Sequence, residues 1–288
     1  MDKLIYFFFK AFIIVFRVLP FRLLYGFSDF LFYIIYGVIR YRRDVVLSNL
    51  KRSFPEKSEE EITSIAKKFY HHLCDLLIES LKSFTMKEEE LVKRYRFTGI
   101  EILSDFFENG RSVICVAGHY GNWEWGGEAS GSQVKHKPIG FYKPLSNKYI
   151  DDFVQKIRVK GRTRLASIAR TAETFNTNWD EPVLYFMVAD QCPSSTRLAF
   201  WLDFLNQDTA VLHGPEKYAR IHNLPVVFAW PRKLKRGHYS VEFKMLAPDP
   251  SKTKTGEITT RFMYMLEEVI KENPQYYLWS HKRWKLKR

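Results

Sequence analysis

The chain reads as an α/β protein with a mostly parallel central sheet flanked by helices, preceded by a hydrophobic, membrane-associating helical segment. Three observations predict this. Short β-branched runs alternate with amphipathic helical stretches along residues 58–272. Phenylalanine, isoleucine and leucine crowd residues 4–39. The 288 residues carry 45 Lys and Arg against 32 Asp and Glu, a net charge of +13, which calls for an anionic counterpart. The length suits one large domain with an appendage, and the expected division is 1–43 for the hydrophobic segment and 44–288 for the α/β domain.

Taking the elements in order, residues 4–39 are apolar apart from Lys10, Arg17, Arg22 and Asp29. The longest uncharged run, Phe30 to Ile39, has ten residues, well short of the ~20 that an ordinary spanning helix needs. Before Pro20, a helix over residues 4–19 would reach about 24 Å at ~1.5 Å per residue, against a hydrocarbon core of roughly 30 Å. Lys10 and Arg17 share a helical face opposite a broad Phe/Ile/Leu face. This predicts a helix lying in the membrane interface with its basic side chains reaching the headgroups. The rival is one span over residues 4–24 that tolerates Lys10. Arg17 and Pro20 interrupt the apolar region too early for a cleaved signal peptide. Arg40, Arg42 and Arg43 follow at once and assign the remainder to the cytoplasmic side.

Residues 58–84 read as a long amphipathic helix, with Ser58 as N-cap and Glu61 closing a capping box. The pair His71–His72 falls within it without a spaced third ligand and reads as partly exposed surface. RSVICVA (111–117) is a buried strand, and NWEWGGEA then starts a helix capped by Asn122. Residues 146–161 form a capped helix that stops at Gly161, followed by a helix over about 164–176. EPVLYFMVADQ is a second buried strand ending at Asp190–Gln191. GPEKYARIHN is helical, LPVVFAW is a third strand, HYSVEFKML a fourth, and EITTRFMYMLEEVIKEN a C-terminal helix. The three cysteines, Cys74, Cys115 and Cys192, are scattered and suit a reducing cytoplasm rather than a disulfide or metal framework. The absence of zinc-finger spacing, RNP-like strands and Arg-rich arms ranks nucleic acid below a membrane as the anionic partner.

In such a sheet, ligands bind beyond the carboxyl ends of the strands. His119 stands at one such end, between Gly118 and Gly121, with Glu124 five positions on. About one His-x4-acid pair is expected by chance among 8 histidines, so placement must carry the argument. Near a helix start, backbone N–H groups disfavour imidazolium, and a neutral imidazole can take a proton from a hydroxyl. Glu124 is placed to hold the other ring nitrogen. With no G-x-S-x-G elbow to supply an enzyme nucleophile, direct attack by a substrate hydroxyl is the simplest chemistry. A histidine that merely caps the helix is an equal alternative on local grounds.

The ordered set of motifs resembles the late acyltransferases of lipid A biosynthesis, within the wider glycerol-phosphate acyltransferase-like group. It comprises the apolar start with Pro20, NLKRSFPEKSEEE, AGHYGNWE, FYKPLSNKYIDDFVQKIRVKG, the strand ending ADQ, FLNQDTAVLHGPEKYA and NPQYYLWSHKRWK. The resemblance implies transfer of a fatty acyl chain from an acyl-carrier-protein thioester to a hydroxyl on a 3-hydroxyacyl chain of a lipid A precursor, at the cytoplasmic face of the inner membrane. It implies His119 as base and Glu124 as its partner. Arg158 and Arg164 match by position the family arginines that contact phosphate or stabilise developing negative charge. Asp190 and Gln191 match its acidic-Gln strand end. The partners are then an acidic acyl carrier protein and an anionic lipid acceptor, with no cofactor beyond the thioester donor.

Departures fall at Phe204-Leu205-Asn206, where the family often has Phe-Phe-Gly, at Cys192–Pro193, and at Lys143, where many relatives carry arginine. They concern the acyl pocket and the acceptor rather than the reaction. The end of the chain, HKRWKLKR, suits an anionic headgroup region with Trp284 at the interface. Two further readings stay open: the same chemistry on another hydroxylated membrane lipid, such as an aminolipid or glycolipid, and a non-catalytic basic membrane adaptor.

Overall fold

Pro20 divides the apolar N-terminal stretch. The computed structural model describes residues 2–159 and 162–288, with Leu198 by its backbone alone. Helix α1 (Asp2–Val18) ends before Pro20, whose extended backbone turns the chain into α2 (Phe21–Phe32), continued by a wider turn over Tyr33–Ile39. A span over 4–24 is therefore broken at its corner. Among the described residues, the stretch long and apolar enough to cross a membrane, by length and composition alone, is Phe21–Ile39. Leu4, Phe7, Phe8, Ile14 and Val18 of α1 and Leu23 and Phe30 of α2 stand exposed. The inner face of α2 buries Leu24 and Phe32 in apolar clusters, and polar groups beside them are engaged. Ser28 donates to Asp75 (2.8 Å), and Asp29 accepts from Arg236 (2.7 Å).

Helix α3 (Arg43–Ser53) leads to α4 (Glu59–Ser83), the longest helix described. Its capping box forms as expected: Ser58 Oγ accepts from Glu61 N–H (3.2 Å), and Glu61 Oε2 accepts from Ser58 N–H (2.8 Å). At its far end Lys82 Nζ donates to the carbonyls of Phe16, Arg17 and Leu19 at 2.9, 3.1 and 2.9 Å. These are the unpaired acceptors that every helix terminus leaves, so α4 fixes the α1–α2 corner. His72 is not surface: it is buried, accepts from Lys233 Nζ (3.2 Å), and burial holds its pKa well below the usual range. His71 is half-exposed and stacks on Phe32.

After α5 (Glu88–Arg94) come β1 (Tyr95–Thr98), α6 (Glu101–Glu108), β2 (Val113–Ala117), α7 (Trp123–Ala129), β3 (Lys137–Tyr142) and α8 (Lys148–Arg158). Asn147 caps α8. The helix ends at Arg158, and the expected stop at Gly161 lies outside the described residues. The helix expected over 164–176 is instead β4 (Arg164–Ser167), a short turn, and α9 (Thr171–Asn176), because residues 164–167 pair with β3 from Ile139 to Tyr142. Then follow β5 (Val183–Val188), β6 (Ala199–Phe204), β7 (Gln207–Leu212), α10 (Gly214–His222), β8 (Val226–Lys235), β9 (His238–Ala247) and α11 (Glu257–Glu272).

The fold is the expected mixed α/β arrangement. Seven strands form one sheet in the order β1-β9-β8-β2-β5-β3-β4, parallel throughout except for the β8–β9 hairpin. Strand β2 is apolar and buried at every residue, as a central parallel strand must be. Helices cover both faces: α3, α4, α10 and α11 close one core, while α6 and α7 close the other. Strands β6 and β7 form a separate hairpin. Its two-residue turn, Leu205–Asn206, has positive φ at both positions (52° and 61°), the geometry of a tight hairpin. The departure from Phe-Phe-Gly thus falls on a hairpin corner, where Asn tolerates the left-handed backbone.

The basic C-terminal stretch is not a headgroup-facing tail as a whole. Arg283 is buried and donates to the Ala210 carbonyl (2.6 Å); Trp284 donates to Thr209 (2.8 Å) and stacks on Phe204.

Candidate active site

The two central strands decide what meets at their carboxyl ends. Strands β2 and β5 pair in parallel with Ala117 opposite Val188, and Ala189 N–H extends the ladder to the Ala117 carbonyl (3.0 Å). Two residues further along each chain, His119 and Asp190 become neighbours. The loop that carries His119 is shaped by its glycines. A Cβ on Gly118 would lie 2.6 Å from Leu266, and Gly121 has φ +62°, a conformation that L side chains resist. The C-terminal strap holds the loop: Leu278 N–H donates to the His119 carbonyl (3.1 Å), and Gly121 N–H donates to the Tyr276 carbonyl (3.0 Å).

Asp190 grips His119 twice. Its Oδ2 accepts the His119 backbone N–H (3.0 Å), and its Oδ1 lies 2.5 Å from Nδ1. The side chains are 2% and 16% exposed respectively, so this contact is little screened by water. The second ring nitrogen, Nε2, faces the Gln191 side-chain amide at 3.0 Å. With Nδ1–H donating to the carboxylate, Nε2 is the acceptor and Gln191 the donor. The Trp123 ring packs edge-on against the imidazole.

This corrects the expectation for Glu124, which does not hold the imidazole. It sits in the first turn of α7, which Asn122 caps by accepting from Trp125 N–H (3.0 Å), and there it pairs with Arg158 from the end of α8. The reason is topological: five positions along a loop and helix start point Glu124 across the crevice, whereas strand register brings Asp190 alongside. The expected preference for neutral imidazole is also reversed. Burial pulls the His119 pKa down, but the charge and hydrogen bond of Asp190, with the charge of Glu124, more than offset it, and the net shift is upward. Asp190 moves in the complementary direction. Burial raises it, but the charge and hydrogen bonds of His119, with the Arg283 charge, hold it below the usual carboxylate range.

A crevice of about 110 Å³ opens beside Trp123, between α7, β3, β5 and the end of α8. Glu124 and Arg158 stand on its wall, and Gly140, Phe141, Phe186 and Val188 give it an apolar lining. Arg158 Nε is buried there without a partner among the described residues. Arg164 is elsewhere. It opens edge strand β4, is exposed, and lines a separate hollow with Ser167, Arg170 and Trp179. The structure therefore brings together His119, Glu124, Arg158, Asp190 and Gln191, and leaves Arg164 out.

Two nearby residues were not singled out from sequence. His281 Nε2 accepts from Cys192 N–H (3.2 Å), and burial pushes its pKa down to about 4. Arg283 contributes its charge to Asp190. Both lie in SHKRW, where a run of basic residues suits an anionic headgroup region rather than a buried site. Among the described residues, no group of three His, Cys, Asp or Glu gathers as a metal site.

Comparisons with known proteins converge. The family model described as bacterial lipid A biosynthesis acyltransferase matches residues 1–286. The chain is 24% identical over 275 residues to a lipid A biosynthesis lauroyltransferase of Escherichia coli (strain K12), covering 93% of this chain and 87% of that protein. It is 22% identical over 256 residues to a lipid A biosynthesis palmitoleoyltransferase of the same organism, covering 86% and 80%. A lipid A biosynthesis acyltransferase of Haemophilus influenzae is 21% identical over 237 residues, covering 81% and 72%.

Proposed function

The chain belongs to the bacterial lipid A biosynthesis acyltransferase family, and on that premise we propose that it moves a fatty acyl chain from an acyl-carrier-protein thioester to a hydroxyl of a lipid A precursor, with His119 as base. The observation that carries the base assignment is the doubly held His119–Asp190 pair, whose imidazole packs on Trp123 in the wall of an apolar crevice. Asp190 fixes the tautomer with the proton on Nδ1, which leaves the Nε2 lone pair to receive a proton. The acceptor hydroxyl, on a 3-hydroxyacyl chain, replaces the Gln191 amide as the donor to Nε2. Its oxygen attacks the thioester carbonyl as the proton passes to His119. The tetrahedral oxyanion is met by the Arg158 guanidinium, whose Nε–H has no partner among the described residues. Collapse breaks the carbon–sulfur bond, and His119 returns its proton to the departing thiolate. The products are an ester and a free carrier thiol.

In this reading the donor chain lies in the crevice and Glu124 orients Arg158. A second reading, in which Glu124 is the base, draws on one observation: Glu124 lines the crevice while Gln191 occupies Nε2 of His119. Replacing each in turn by glutamine separates the two.

The reaction is assigned to the cytoplasmic face of the inner membrane, where acyl carrier proteins are found and where the +13 net charge suits both an acidic carrier and anionic lipid. The exposed apolar side chains of α1 and α2 support membrane attachment. Each is worth roughly 1.5–3 kcal/mol on full burial, so together they are comparable with the ~5–15 kcal/mol that stabilises a folded domain. Mass spectrometry of lipids from a deletion strain tests the acceptor. Lipid A lighter by one acyl chain is the expected result. Unchanged lipid A with an acyl group missing from an aminolipid or glycolipid would replace the acceptor, and no missing acyl group on any lipid would reject the reaction.

A further inference from the structure

Asn122 has two bonds to make at the start of α7. Its Oδ1 caps the helix at Trp125 N–H (3.0 Å), and its Nδ2 donates to Glu79 Oε2 (2.7 Å). The carboxyl group of Glu79 is fully buried and collects two further donors: Tyr239 from β9 on Oε2 (2.8 Å) and Tyr25 from α2 on Oε1 (2.8 Å). The Trp125 indole N–H also donates to the Glu79 backbone carbonyl (3.1 Å). Glu79 neither lines the crevice nor contacts His119 or Arg158.

A buried carboxyl group is a costly way to join helices, since an apolar side chain of the same shape often gives equal or greater stability. Its distinctive property is to accept several directed donors at once, which fixes their relative positions. Here the donors come from three elements: the outward-facing helix α2, the β8–β9 hairpin, and the residue that caps α7. Helix α7 carries Glu124, so the place where α7 begins sets where Glu124 meets Arg158.

We infer that Glu79 is a positioning residue for acyl transfer: it ties the start of α7 to the seat of α2 and thereby sets the Glu124–Arg158 pair against the crevice. This rests on the reading above that the pair serves the reaction. Because Tyr25 is one of the three donors, the membrane-facing helix is part of the support of the site.

The test uses the full chain in detergent micelles, with an acyl-carrier thioester as donor and a lipid A precursor as acceptor. The variants are Glu79→Gln, Asn122→Asp, and the two together. The double variant reverses donor and acceptor across the contact while keeping the cap on Trp125. Each single variant is expected to lower kcat about tenfold, the effect of shifting the transition state by a single lost hydrogen bond, with KM for the donor within about twofold. Amide exchange in the peptide 119–129 is expected to speed up by about tenfold on the same grounds, with α11 unaffected. The double variant regains most of both. Wild-type kcat and exchange in Glu79→Gln, or a double variant no better than the singles, would overturn the inference. Where a variant loses protection in α11 as well, Tyr25→Phe removes one donor without disturbing the carboxyl. Lowered kcat with intact α11 then supports the tie, and unchanged kcat rejects it. An inactive wild type rejects the proposed reaction, not this inference, which the exchange measurement then decides alone.

Discussion

The two charged pairs at the site are built on different supports. His119 and Asp190 sit at the ends of adjacent, register-locked central strands, and the pair is almost closed to water. Glu124 and Arg158 come from two helices, and their side chains are 31% and 26% exposed. Both of those helices lean on the N-terminal helices. Phe153 and Tyr149 of α8 pack on Tyr6 and Phe9 of α1, and α7 reaches α2 through Asn122 and Glu79. The sheet therefore fixes the pair proposed for proton transfer, while the apolar N-terminal helices support the pair proposed to meet the acyl group.

This contrast is open to disruption from either side. Replacing His119 by Gln keeps a polar group in place but removes the base, and kcat/KM for acyl transfer is expected to fall ~10³-fold, within the usual range for a general base. A fall confined to Glu124→Gln would move the base to the other pair. Arg158→Lys keeps the charge and loses the planar donor fork, and kcat should fall about 10²-fold, as for the loss of one oxyanion donor. A change confined to KM would make Arg158 a binding residue only. The smallest effect belongs to Arg164→Ala, where kcat and KM are expected to stay within about twofold of wild type, as for a surface site outside the crevice.

The sequence disclosed what is local. The Ser58–Glu61 capping box, the buried strands β2 and β5 and the Asn122 cap each depend on residues a few positions apart. Pairing across the fold was not legible. Glu124 is the nearest acid to His119 along the chain, yet Asp190, 71 residues away, reaches it through strand register. Strand β3 was missed because Lys137, Pro138 and Gly140 interrupt any β-branched run. Strand β4 was missed because RLAS runs into an apolar spacing that also fits a helix, and only its pairing with β3 settles it. The β6–β7 hairpin turns on Leu205–Asn206 without the glycine that usually marks such a corner. His72 and Arg283 look like surface residues by type, and both are buried because Lys233 and the Ala210 carbonyl wait for them inside.

The pH–rate profile of acyl transfer, in wild type and in Asp190→Asn, tests the central pairing most directly. The pKa of His119 is raised above the usual 6.5 by Asp190 against the downward pull of burial. The free base therefore appears only as pH rises through that raised value, and the wild-type rate should climb with an inflection above 6.5. Removing the Asp190 charge leaves burial to dominate, so the inflection in Asp190→Asn should move to lower pH while the maximal rate falls. An inflection that stays in place, with the rate undiminished, would contradict a base at His119 held by Asp190.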